Sequence, residues 1–384
     1  MTISTQSSMP NGKPHILFWG RYGNKGQGYS RDRVVLENMQ ALGWRVSYFH
    51  PAVSALGYWQ ALFSQVPNVD AVWVPCFRHR DLKPASQWAA RKSIPVIFDP
   101  LISAYDKRVF ERQKYPENSA KAKRVLAWEQ GLFKRASAII ADTEAHKTFF
   151  QETLNAAPDD TFVIPVCAEE HRFIEAPETP KTNPELLFYG SFIGLQGATY
   201  IVEAAKYYTG PKIKLTLLGA GPDRQKCEAI AKQTASETVD IQFEDWIDYE
   251  QLPQRIHQAD ICLGVFGIGK KSMRVIPNKV YQSLACGRPV ITLDGFAYPE
   301  VPASMQNGLT LVPPGNPEAI ADAIYQQVNL WHEEHKDQGE TKNIENSGHK
   351  KAGQQARLLY DRFFSSETTR NVLRNIQHKY MKSQ

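Results

Sequence analysis

The chain has 384 residues, of which 42% are hydrophobic and 22% charged, and its formal net charge is +5. That length exceeds one ordinary core and fits two domains of roughly 150–200 residues, and the composition is that of a soluble globular protein. The small positive excess suits an anionic nucleotide or membrane surface but reads mostly as solvated surface; nucleic acid is disfavoured, because no basic stripe interleaved with aromatics is present.

Residues 1–13 are polar without an apolar core, so we expect a disordered N-terminus rather than a signal peptide or anchor. From 14 to 170 short apolar runs alternate with helical patterns. Strands are expected at 15–20, 45–50, 71–75, 95–99, 138–141 and 162–165, with amphipathic helices at 31–42 and 122–134. Such alternation predicts a parallel sheet covered by helices. Residues 171–184, HRFIEAPETPKTNP, are polar and proline-rich and read as a linker. The pattern restarts over 185–350, with strands at 186–189, 214–218, 241–243, 261–265, 289–293 and 309–312. Helices there are expected at 197–207, 224–234, 278–285 and 317–331. A charged stretch, 333–351, reads as a loop, and 351–384 as a terminal helix crossing back to the first domain. No apolar run approaches the ~20 residues of a membrane span.

Five cysteines, odd in number and without a C-x-x-C pair, argue against a disulfide framework or a zinc site and fit a cytoplasmic setting.

Three loops carry the candidate chemistry. The first is GRYGNKGQG, residues 20–28, directly after the first strand and before a helix opening near Ser30. Tyr22, Gly23, Gly26 and Gly28 there would let backbone approach a ligand, the alternative being a plain surface loop. The second is YGSFIGLQG, 189–197, where an oxyanion at the following helix would gain roughly 0.3–2 kcal/mol. The third runs from Gly267 through KKSMRVIPNKVYQSLACGRPVI. In it Pro277 suits a first helical turn, Gly287 ends the helix, and Lys270, Lys271, Arg274 and Lys279 gather positive charge at its start. A solvated basic loop is the plainer reading of that charge.

IPNKVYQSLACGRPVI resembles the donor-binding helix of the family 4 (group 1) retaining glycosyltransferases of GT-B fold. FYGSFIGLQGATYIVEAA, LTLLGAGP, DGFAYPEV and NGLTLVPPGNPEAIADAI resemble further segments of that family in the same order, and RASAIIADTEAH resembles a late strand of its first domain. The resemblance is good over about 185–330 and loose before that.

It implies two Rossmann-like domains facing each other across a cleft, sugar transfer from a nucleotide sugar with retention, and no metal or cofactor beyond that substrate. Gly190, Ser191, Phe192, Gly194, Gln196 and Gly197 would then face the diphosphate, and Gln282 the ribose. Gly219, Lys271, Pro277, Asn278 and Val280 would complete the donor site, with Gly295 and Glu300 near the sugar. Arg274 and Lys279 would stabilise the leaving diphosphate. Asp99 ends a strand where the family often carries a sugar-contacting histidine. It would orient an acceptor hydroxyl, unless it merely caps a loop before Pro100. His79 would face the acceptor or sit in a basic surface loop. Trp73, Trp128 and Trp246 read as core or interface aromatics.

Two departures weigh on the site. Arg274 and Gln282 stand where the family's helix carries paired glutamates, and Gln196 replaces a basic residue. A neutral amide acceptor is worth ~0.5–1.5 kcal/mol against ~1.5–3 for a charged one, a tolerable loss. The implied acceptor is a sugar or a lipid-linked hydroxyl, with peripheral contact at the inner membrane face. Rival expectations are a nucleotide-sugar epimerase and a non-catalytic binding or scaffold protein of the same fold. Base, sugar, acceptor and oligomeric state are not written in these residues.

Overall fold

Buried parallel strands need apolar side chains on both faces, and HILFW, AVWV, ELLFY and IKLTLL supply them. The structure is a computed structural model that describes residues 13–21, 28–177, 181–234, 236–336 and 348–381. Residues 1–12 of the polar N-terminus, and Tyr22, Gly23 and Gly26, lie outside the described residues.

Strands β1 (His15–Trp19), β2 (Arg45–Phe49), β3 (Ala71–Val74), β4 (Val96–Phe98), β5 (Ala138–Ala141) and β6 (Thr161–Val163) form one sheet, ordered β2-β1-β3-β4-β5-β6. A second sheet, ordered β12-β11-β10-β7-β8-β9, contains β7 (Glu185–Tyr189), β8 (Ile213–Leu218), β9 (Val239–Glu244), β10 (Ile261–Leu263), β11 (Val290–Leu293) and β12 (Leu309–Val312). Every strand pairing is parallel. The helices are α1 (Ser30–Ala41), α2 (Gly57–Leu62), α3 (His79–Lys92), α4 (Ala104–Asp106), α5 (Ala120–Phe133), α6 (Glu144–Leu154) and α7 (Ala198–Ala204). After them come α8 (Arg224–Thr234), α9 (Leu252–His257), α10 (Asn278–Ala285), α11 (Pro317–Lys336), α12 (Gly348–Phe363) and α13 (Ser366–Tyr380). This is the expected α/β class, two six-stranded parallel sheets with crossover helices.

The chain divides into two compact units. Unit 1 holds the described residues up to Cys167 and those from Ser366 onward; unit 2 holds Ala168–Ser365. In unit 1 alternate residues feed opposite faces of the sheet, as the pleat requires. Leu17, Trp19, Val72, Val74 and Phe98 pack on one side. Ile16, Phe18, Ala71, Trp73 and Ile97 pack on the other, with Leu373 and Ile376 of α13. The 351–384 segment is therefore not one helix. It breaks at Phe364–Ser365, where paired serines, weak helix formers with a capping habit, precede Glu367 in the first turn of α13.

One further difference concerns a helix. His79 opens α3 instead of lying in a surface loop, and Pro84 is accommodated inside that helix. Of the three tryptophans expected to be core or interface, Trp73 is fully buried, whereas Trp128 and Trp246 are substantially exposed.

Candidate functional site

In unit 2 the strand order reverses between β7 and β10. Loops leaving a parallel sheet at such a point diverge and open a crevice at the strands' carboxyl ends. Residues 190–197 and 264–267 are those loops. They are bound together, since Phe266 N donates to Gln196 O at 3.0 Å and Ser272 Oγ to Leu195 O at 3.3 Å. Gly190 N and Phe192 N donate to Leu218 O and Ala220 O, each at 3.0 Å, which joins the first loop to the turn after β8. Gly219 permits that approach. Its φ is +128°, and a Cβ there would lie 2.1 Å from Gly190 O. At Gly190 itself a Cβ would lie 2.5 Å from Gln196 Oε1 and 3.0 Å from Lys279 Nζ.

The structure narrows the expected diphosphate loop. The Gln196 and Gly197 amides both donate to Ile193 O, at 2.8 and 3.3 Å, so they are committed within the turn. Phe192 is a core side chain, its ring edge-on to Phe188. Gly194 is exposed with open space where a Cβ would be, and Ser191 is half-buried.

Lys279 is the most unusual group here. It sits in the first turn of α10 and is only 4% exposed. Its Nζ donates to Gln196 Oε1 at 2.5 Å and to Gly264 O at 3.3 Å, and lies 3.7 Å from the centre of the Phe188 ring. Among the described residues no carboxylate pairs with it. Burial pushes the amine well below its ordinary 10.5. A buried ammonium with only neutral partners is costly.

Gln282, one turn on, is buried with both ends engaged. Tyr189 Oη donates to its Oε1 at 3.2 Å, and its Nε2 donates to Tyr249 Oη at 3.3 Å. Tyr249 in turn donates to Glu169 Oε2 at 2.5 Å. Pro277 is the residue before α10 rather than its first position, with φ −74° and ψ 154°; Asn278 opens the helix. Val280 is a core side chain, and its amide donates to Pro277 O at 2.9 Å, so neither faces a ligand. Lys271 is buried, and Arg274 closes a 3-10 turn at Ser272–Arg274. That turn anchors the loop after β11, because Ala297 N donates to Met273 O at 3.2 Å, close to Gly295. Glu300 is exposed farther along it.

In unit 1 the order reverses between β1 and β3. Asp99, after β4, is 1% exposed and accepts from Arg31 Nε at 2.9 Å. Arg31 is fully buried, and its Nη1 also donates to Ile164 O at 2.6 Å and to Pro165 O. These are the surroundings of a structural carboxylate rather than of an open hydroxyl ligand. Burial raises the Asp99 carboxyl, opposed by Arg31.

The neighbouring Asp32 escaped the sequence reading. It lies in the first turn of α1, accepts from Cys76 N at 3.2 Å, and is pushed up to about 6 by burial and by the Asp99 charge. Gly28 lies against its side chain. His79 is buried, and its Nε2 bonds Glu129 Oε1 at 3.1 Å. The same glutamate accepts from Ser103 Oγ and the Ala104 and Tyr105 amides, so the pair anchors α4. Phe77 and Leu101 carry φ of +63° and +61° at the carboxyl ends of β3 and β4, strain of the kind that gathers at ligand sites. No sequence signal marks it.

Residues 183–329 match the family model described as glycosyl transferases group 1. No curated protein matches the chain in sequence. Solved structures match in fold. HepE of Anabaena in complex with UDP aligns at 13% identity over 95% of this chain and 99% of that one, with a TM-score of 0.65. Sucrose-phosphate synthase from Thermosynechococcus elongatus aligns at 16% over 96% and 99%, TM-score 0.67. A glycosyltransferase from Rickettsia africae aligns at 14% over 97% and 100%, TM-score 0.66. Identities this low carry architecture alone. With its two six-stranded parallel sheets the chain has the GT-B fold, and its second unit carries the match to the glycosyl transferases group 1.

Proposed function

We propose that the protein is a glycosyltransferase that moves a sugar from a nucleotide-sugar donor to a hydroxyl acceptor with retention and without a metal. The observation that carries this reading is Lys279, an amine buried among neutral partners at the switch point of unit 2. A diphosphate supplies the charge it lacks. The amides of Gly194 and Leu195 and the side chain of Arg274 are the further donors we assign to it. Preorganised donors of this kind are worth ~2.7–4 kcal/mol each in the transition state.

In a front-face reaction the departing phosphate takes the acceptor's proton, so no protein base is needed. Asp99 then serves the fold, as the counter-charge of Arg31. HepE is described in complex with UDP and with UDP-glucose, which makes a uridine donor the first to try. A bacterial polysaccharide or glycolipid hydroxyl, lipid-linked at the inner membrane face, is the acceptor class the resemblance favours. The test is calorimetry with UDP-, GDP- and ADP-sugars, followed by nucleotide release and anomeric NMR with candidate acceptors. Binding of none of the three sinks the proposal.

A second reading has one observation in its favour. Gln282, where the family has a carboxylate, is tied at both ends to tyrosines. Tight nucleotide-sugar binding with no turnover on any acceptor would favour a non-catalytic binding protein.

A further inference from the structure

A parallel sheet leaves one row of main-chain groups unused on each outer strand. Of the four outer strands β9 is the longest, six residues against five in β2, four in β12 and three in β6. Its inward row is set by Ile213 N, which donates to Thr238 O at 2.8 Å, and by Gly219 N, which donates to Glu244 O at 2.9 Å. Main-chain groups alternate sides along a strand. Asp240 and Gln242 therefore face β8 as well, and Val239, Ile241 and Phe243 turn theirs away from the sheet. Val239 N is met by Ser236 Oγ at 3.1 Å. Among the described residues nothing bonds the amides of Ile241 and Phe243.

The strand also lacks the devices that ordinarily keep an edge single. It carries no proline and no lysine, and it pairs with β8 through six consecutive partners without a bulge. Its two outer acids are answered from within unit 2. Asp240 stands opposite Lys214 in the ladder and accepts from Gln242 Nε2 at 2.9 Å, and Glu244 accepts from Arg255 Nε at 2.9 Å. On the other face Val239, Ile241 and Phe243 form, with Ala231 of α8, the apolar floor of a groove of about 610 Å³. Glu228 and Lys232 of α8 give its rim both signs of charge.

We propose that the protein is a dimer in which β9 pairs antiparallel with β9 of a second copy, joining the two unit 2 sheets into one. Only the odd-numbered residues offer outward main-chain groups, so odd must meet odd, and the two-fold axis then keeps each face of the sheet on its own side. With Ile241 set against its own copy, the two exchange both bonds and Phe243 N–H reaches the Val239 carbonyl opposite. Asp240 then meets Gln242. Sliding by two residues either way sets Asp240 against Asp240 or against Glu244, like charges directly opposed. Hydrogen-bond parity and charge thus admit the same register. A strand selected to refuse its own copy would show the reverse, and that agreement favours a second copy over a foreign strand. The inference stands apart from the sugar-transfer reading.

Sedimentation equilibrium of the full chain, from about 1 to about 100 µM, tests it. The wild type should be a dimer. Gln242→Glu sets like charges against each other on both sides of the axis and should weaken dimerisation about tenfold, and adding Asp240→Asn should restore it. Ile241→Pro removes an outward N–H without touching the β8 ladder and should give a monomer; unchanged thermal melting would exclude misfolding. Disulfide trapping reads the register. Asp240 and Gln242 are exposed, and the chain's own cysteines are all buried. Asp240→Cys chains mixed with Gln242→Cys chains should cross-link under oxidation, and either alone should not. A monomeric wild type overturns the proposal. So does a dimer whose dissociation constant neither Gln242→Glu nor Ile241→Pro changes, or a cysteine mixture that stays uncross-linked.

Discussion

Replacing Lys279 by Met separates binding from stability in opposite directions. The side chains are similar in volume, so packing against Phe188 survives while the charge and its bonds to Gln196 and Gly264 are lost. A phosphate oxygen about 4 Å from the amine would gain about 4 kcal/mol of Coulomb energy at an effective dielectric of 20. Desolvation offsets part of that, and charge-assisted hydrogen bonds net ~1.5–3 kcal/mol. Titration with UDP, GDP and ADP should therefore give about ten- to hundredfold weaker binding for whichever nucleotide the wild type prefers.

Stability should move the other way. Because the folded pKa lies below 10.5, the unfolded chain binds more protons between the two values, and protonation there opposes folding. Removing the amine should raise Tm at neutral pH. For the wild type, nucleotide binding should take up a proton and weaken as pH rises through the lowered pKa. Calorimetry in buffers of different ionisation enthalpy reads that proton directly. An unchanged affinity together with a lower Tm would refute the reasoning.

Three further outcomes are expected. Arg31→Met leaves Asp99 buried without its cation and should destabilise by about 3–5 kcal/mol in urea unfolding. Asp32→Asn should stabilise: the folded carboxyl at about 6 lies above its ordinary 3.8, so the folded state binds the extra proton and stability falls as pH rises between those values. The gain should be on the order of 2–3 kcal/mol at pH 7 and vanish below about pH 4 in paired urea titrations. Gly219→Ala puts a Cβ 2.1 Å from Gly190 O at positive φ, and should cost roughly 1–3 kcal/mol in unfolding and distort nucleotide binding as well.

Strands were the legible part of this chain, because a buried parallel strand advertises itself as an unbroken apolar run. The glycine loop after β7 and the helix from Asn278 were legible for a related reason. Tight turns and helix ends constrain residue type locally. Asp32 was not legible. Arg31 and Asp32 read as two polar positions opening an amphipathic helix, and what buries them comes from Cys76, Asp99, Ile164 and Pro165, far along the chain. The free edge of β9 stayed hidden too, since a strand's own sequence reads the same whether one neighbour or two lie beside it. Pro84 reads as a breaker, which concealed α3 and with it the burial of His79.

The return of α13 to unit 1 has a consequence for biosynthesis. Leu373 and Ile376 belong to the same core as Ile16 and Phe18, more than three hundred residues earlier. A ribosome exposes nearly all of the first unit long before those side chains exist, so the part of this core that α13 completes beside Val35 and Met39 of α1 must wait while the entire second unit is made. Unit 2 is contiguous and can close as it emerges. The half begun first is therefore finished after the half begun second, and in that interval the patch awaiting α13 is the surface a chaperone would hold.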